Sequence, residues 1–187
     1  MIGKKTFAAL YKFKSAVVQK ARQNLGTRRI GKNTSYGGTK RRNLQNSLYG
    51  DVNKEDGDIS FGSMAPYAKY IHYGVSGTKK KRRDTPFSYG NKMPPVDAIA
   101  KWMKVKPVRL RDANGSFVKA TPEKLKGAAF GIAKKIQEKG IPGLAFYDES
   151  FDMVYPKHES KIAEAMALDI LEELMKKVTE TDNLKEG

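Results

Sequence analysis

Cysteine is absent from this chain of 187 residues, and histidine occurs only twice, as His72 and His158. The first absence removes thiol catalysis, cysteine-type zinc clusters and disulfides, and it suits a reducing compartment. The two histidines stand outside any metal-binding spacing such as H-E-x-x-H, so neither metal nor cofactor is expected. His72 lies among tyrosines and reads as a packing or hydrogen-bonding residue. Long apolar runs are missing too. The opening MIGKKTFAALYKFK is interrupted by Lys12 and Lys14, which argues against a signal peptide or membrane span and predicts a soluble protein that works without crossing a membrane.

Catalytic patterns are equally scarce. Glu172 and Glu173 are adjacent, so on a helix they point in different directions. Asp56 and Asp58 sit in a turn, where carboxylates bond to nearby backbone. The serines of FGS and VSG lack the G-x-S-x-G elbow that exposes a nucleophile. Gly26, Gly31 and Lys32 do reproduce the G-x-x-x-x-G-K spacing of a phosphate-binding loop, but Asn33 stands where Ser or Thr must hold magnesium. That loop also has to leave a strand and open a helix, whereas here a helix precedes and turn chemistry follows. The expectation is a protein that is not an enzyme.

What the chain has is positive charge, +16 in total and unevenly spread. Residues 1–50 hold 12 Lys/Arg and no Asp/Glu, residues 51–150 hold 19 and 11, and residues 151–187 hold 5 and 9. A basic head and an acidic tail suit contact with nucleic acid, or subunits that stack positive surface on negative.

Phe7, Leu10, Tyr11, Lys14, Val17, Val18, Ala21 and Leu25 recur at helical spacing and predict a helix over residues 4–25, stopped by Gly26. Residues 27–43 read as a basic loop. LQNSLYGDVN and GDISFGS predict two short strands joined through the acidic turn NKEDGD. APYAKYIHYGVSG suggests a helical turn running into a strand. Pro94 and Pro95 open a helix whose buried face is Val96, Ile99, Trp102 and Met103. VKPVRLRDANGSFVKA reads as a link. Thr121 then caps a helix bearing Leu125, Ala128, Ala129, Ile132, Ala133 and Ile136, and Gly140 ends it. A last helix is expected over residues 157–179, burying Ile162, Met166, Ile170, Leu171, Leu174, Met175 and Val178.

The binding candidates are the two basic segments. One is Arg28, Arg29, Lys32, Lys40, Arg41 and Arg42. The other is Lys79, Lys80, Lys81, Arg82 and Arg83, like charges that repel and stay solvated unless a polyanion neutralises them. Tyr67, Tyr70, Tyr73, Phe87 and Tyr89 flank the second run, either as stacking surfaces for bases or as core and interface residues. No sequence-reading motif accompanies them.

Leu44, Ser47 and Leu48; Tyr67, Ala68, Tyr73 and Gly74; Pro94, Pro95, Ile99 and Trp102; and Lys139 to Pro142 with Phe146 to Glu149 follow one another in an order that resembles the head-tail joining or tail-completion (neck) proteins of tailed bacteriophages. The likeness spans residues 4–175. It implies a single α+β domain over residues 1–187, a small antiparallel sheet packed against N- and C-terminal helices, with a helical insertion at 91–140. It also implies a structural virion protein whose copies form a ring in the neck or upper tail, between portal or adaptor and tail proteins, around a DNA channel. No catalytic residues come with it. The KKKRR run and the loop at 27–43 depart from the family's hallmarks, leaving open whether this chain lines a DNA channel, clamps an acidic neighbour or sits elsewhere in the particle. A free, non-sequence-specific nucleic-acid-binding protein is the alternative.

Overall fold

The computed structural model describes residues 1–27, 43–82, 85–105 and 109–183. The fold is α+β, with a small antiparallel sheet packed against the N- and C-terminal helices. The chain divides into two compact units, Met1–Ala68 with Ala145–Gly187, and Lys69–Leu144.

In the first unit, α1 (Lys4–Thr27) leads through the short α2 (Asn43–Ser47) into the hairpin β1 (Leu48–Val52) and β2 (Ile59–Ser63). The strands pair antiparallel, from Leu48 opposite Ser63 to Val52 opposite Ile59. Their turn is built by side chains, because Asn53 Oδ1 accepts from Glu55 N and Asp56 Oδ1 from Asp58 N. The stretch LQNS, expected as strand, is therefore the one-turn α2, and Leu44 is buried there.

The last helix, α6, spans Asp148–Asn183 and carries Pro156 inside it. It begins nine residues before the expected start at 157. An internal proline removes a hydrogen bond and costs about 3 kcal/mol. Tertiary packing outweighs that here. Phe13 and Val17 of α1 bury against Val154, with Ile59, Phe61, Tyr147 and Ile162 packed around them. Ser150, fully buried, accepts from Asn24 and donates to Phe146 O. The Tyr147 hydroxyl reaches the carbonyl oxygens of Tyr49 at 2.9 Å and Gly62 at 2.7 Å, joining both strands to the start of α6. Burial pushes this phenol up to about 12.

Two buried faces differ from expectation. On α1, Phe13 is core and Tyr11 is exposed. On α6 only Ile162 of the expected face is partly buried; Met166, Ile170, Leu171, Leu174, Met175 and Val178 are all exposed. The reason is that this part of α6 turns its polar side to α1. Asp169 accepts from the backbone N–H groups of Lys5 at 3.2 Å and Thr6 at 2.6 Å, and Lys5 pairs with Glu172 at 2.5 Å. The first turn of α1 has no acidic residue of its own, so Asp169 satisfies its free amides and complements its dipole from another helix.

The Thr6 amide, with help from Lys5, holds the Asp169 carboxyl below its ordinary 3.8. A depressed carboxylate stabilises the fold above its unfolded value and loses that contribution as pH falls through its folded value. Asp169→Asn should therefore lower the melting temperature at neutral pH, with the gap to the native chain closing in acid. A gap independent of pH would show that the charge has no part in it.

In the second unit, α3 (Ala68–Tyr73) runs into β3 (Gly74–Val75), which pairs antiparallel with β6 (Ile141–Pro142). Between them lie α4 (Val96–Val105), the small hairpin β4 (Leu110–Arg111) and β5 (Phe117–Val118), and α5 (Pro122–Lys139). The segment expected as a plain link thus contains a hairpin, turned through Asp112, whose carboxylate accepts from Asn114 N and Ser116 N. Thr121 caps α5 and Gly140 ends it, as the sequence indicates. Met103, Ala129 and Ala133 are buried, but Trp102, expected on the same face as Met103, is 44% exposed.

Candidate basic interface

The sequence of the second unit holds 18 Lys/Arg against 5 Asp/Glu, a net charge of +13, whereas the first unit carries +3. The excess of positive charge thus belongs to the second unit, although the first fifty residues are the stretch without acid. Arg28, Arg29, Lys32, Lys40, Arg41, Arg42 and Arg83 lie outside the described residues.

Lys79, Lys80, Lys81 and Arg82 form a braced loop where the sequence suggests a free, solvated tip. The backbone N–H groups of Lys79 and Lys80 both donate to Glu138 O, at 2.9 and 3.0 Å, and Thr78 N donates to Gln137 O. These carbonyls belong to the last turn of α5, which has no helical partners for them. Lys79 Nζ pairs with the Glu138 carboxylate at 2.9 Å, and this pairing holds the Glu138 carboxyl below its ordinary value. Arg82 donates to Lys139 O, and its backbone N–H to Ser76 Oγ. Cations at a helix C-terminus also meet the negative end of its dipole.

Such close seating requires glycine on both sides. A Cβ on Gly77 would run into the backbone of Glu138 and Gly140, and one on Gly140 into Val75 O and Gly77 N. The two segments GVSG and GIPG therefore serve as one paired device, Val75 lying opposite Ile141. Lys80 and Lys81 remain exposed and their ammonium groups face solvent.

An aromatic group accompanies the loop. Phe87 packs against Tyr70, with ring centres 4.6 Å apart, and Lys69 Nζ lies 5.3 Å over Tyr70 and 5.6 Å over Phe87. Phe87 O accepts from Ser76 N, so this aromatic segment is hydrogen-bonded to the segment that carries the basic run. Tyr67, Tyr70 and Tyr73 are all partly exposed, the first belonging to the other unit. His72 is buried with its ring edge-on to Tyr73, a packing role. A second arginine–aromatic pairing is one that sequence reading misses: Arg111 stacks over exposed Phe117 at 4.0 Å, with Arg109 at 5.5 Å. Its signal is the alternation R-L-R followed by a turn and Phe117, legible only once the link is recognised as a hairpin.

Ammonium and guanidinium groups spread over a loop, a hairpin and a helix neutralise phosphates or carboxylates irrespective of base sequence. Among the described residues, no group of three or more His, Cys, Asp or Glu could hold a metal ion. Nor is any described helix long and apolar enough to cross a membrane. Compared with protein-family models, with curated proteins and with solved structures, the chain matches none of them.

Proposed function

We propose that the chain is a structural, non-enzymatic virion protein of a tailed bacteriophage, a ring-forming component of the neck or upper tail. In this reading it assembles in the host cytoplasm and joins the portal side to the tail around the channel for genomic DNA. The observation that carries the reading is the braced basic surface of the second unit, which suits phosphates passing in any sequence. The ordered sequence features that resemble neck proteins supply the particle context. The test is copy number in purified particles, by quantitative mass spectrometry against the major capsid protein. A small fixed number, roughly six or twelve per ring, is expected, and absence from particles overturns the reading.

The charge of the second unit favours one other reading, a free nucleic-acid-binding protein without sequence preference. Neutralising residues 79–83 should then flatten the dependence of log affinity on log salt by up to about 0.9 for each phosphate that the variant no longer neutralises. An unchanged slope means that the run does not touch DNA.

A further inference from the structure

We infer that the outer face of α6, from Met166 to Val178, is a surface on which this chain binds a second copy of itself. The inference deepens the reading of the chain as one that assembles with its own copies, and it rests on that reading only for its setting in a particle.

At 3.6 residues per turn, Met166, Ile170, Leu174, Val178, Leu171, Met175 and Leu168 fall on one arc of about 200°. A helix that meets one neighbour needs an apolar stripe of roughly half that width. Here the arc faces away from the chain's own fold. Ala165, Asp169 and Glu172 occupy the opposite side, where Asp169 and Glu172 bond to the start of α1 and Ala165 is buried. The seven apolar side chains are each 45–70% exposed. A folded chain in water rarely leaves a contiguous patch of this kind uncovered.

Two arguments favour a second copy as the occupant. The first is area. At about 100 Å² for each half-exposed side chain, one copy presents on the order of 700 Å², close to what one partner contributes to a standard stable interface. Covering the whole arc takes more than one neighbouring helix, and copies that do so together bury the total that a specific interface needs.

The second is charge. A chain of +16 repels its copies over most of its surface. From Met166 to Val178 the three acids Asp169, Glu172 and Glu173 stand against Lys176 and Lys177, and Lys5 offsets the third. Glu172 with Lys176 and Glu173 with Lys177 are paired within the helix at i and i+4, clear of the middle of the apolar arc. This face is therefore one on which copies approach without strong repulsion. The width of the arc leaves room for more than one neighbouring helix, as a closed ring or bundle provides.

The experiment is sedimentation velocity on the purified full chain, native and Leu171→Glu/Leu174→Glu, with helix content followed by circular dichroism. A native oligomer and a folded, monomeric variant are expected. A native chain that stays monomeric at about 100 μM, a concentration at which any interface of this size should associate, overturns the inference. So does a folded variant as oligomeric as the native chain. If the double variant unfolds, Met175→Glu alone decides the matter, since Met175 is 70% exposed and packs in no core of its own chain. A folded Met175→Glu chain that associates less than the native one is expected, and one as oligomeric as the native chain overturns the proposal. Absence of the chain from virions would overturn the neck reading and leave this result untouched.

Discussion

Gly140→Ala should destabilise the second unit by on the order of 3 kcal/mol or more and release the basic run from α5. Gly140 adopts φ 67° and ψ −170°, a region open essentially to glycine alone. A Cβ there also meets Val75 O and Gly77 N, backbone atoms that cannot swing aside. Relief requires β3 and β6 to separate. The amides of Lys79 and Lys80 would then part from Glu138 O, so their hydrogen exchange should accelerate together with the drop in melting temperature. Gly115→Ala is the control. Gly115 has φ 82° but open space around it, so it should cost only about 1 kcal/mol of backbone strain. Equal effects at the two positions, or a Gly140→Ala chain with Lys79 and Lys80 still protected, would mean that the glycine pairing does not hold the loop.

This device is also where sequence reading stops short. Lys79 to Arg83 are conspicuous as a charge run, and solvation is the natural inference from like charges in a row. What cannot be seen is that Glu138, almost sixty residues later, offers its carbonyl to Lys79 and Lys80 and its carboxylate to Lys79. GVSG and GIPG are visible as glycines, but their function depends on antiparallel pairing across the whole intervening segment. By contrast, features that depend on near neighbours are legible. The acidic hairpin turn, the Thr121 cap and the stripe of α5 all follow from residues within one or two turns.

Apolar periodicity fares unevenly for a physical reason. It finds the apolar arc of α6 correctly and then assigns it to this chain's own core, although the fold of α6 against α1 uses the polar side. The pattern states that a face is to be covered and does not state by what. Pro156 misleads in the opposite direction, because its local cost is real and only the packing of Phe146, Ser150 and Val154 against the rest of the first unit outweighs it.

Phe13→Ala should cost about 3–5 kcal/mol, among the largest losses expected from a single side chain in the first unit. Phe13 is 3% exposed and touches three rings of α6: Phe151 at 5.4 Å and Tyr155 at 6.0 Å, both edge-on, and His158 at 5.7 Å. With Val17 it faces Val154, so truncation opens a cavity at the centre of the α1–α6 packing. The periodic stripe of α1 passes over Phe13 because it follows a single face. The helix is in fact covered on two sides, by β1 and β2 and by α6, which widens the buried arc beyond Val17 to include Thr6 and Phe13. Tyr11, which the stripe includes, is 52% exposed, with the Lys14 ammonium 3.7 Å from its ring and Phe7 6.3 Å away on the same helix. Tyr11→Ala should therefore cost under about 1 kcal/mol. Urea unfolding of the two variants separates a two-sided helix from a one-sided one. A larger loss from Tyr11→Ala than from Phe13→Ala would mean that α1 is buried along its sequence stripe and that α6 does not pack on it through Phe13.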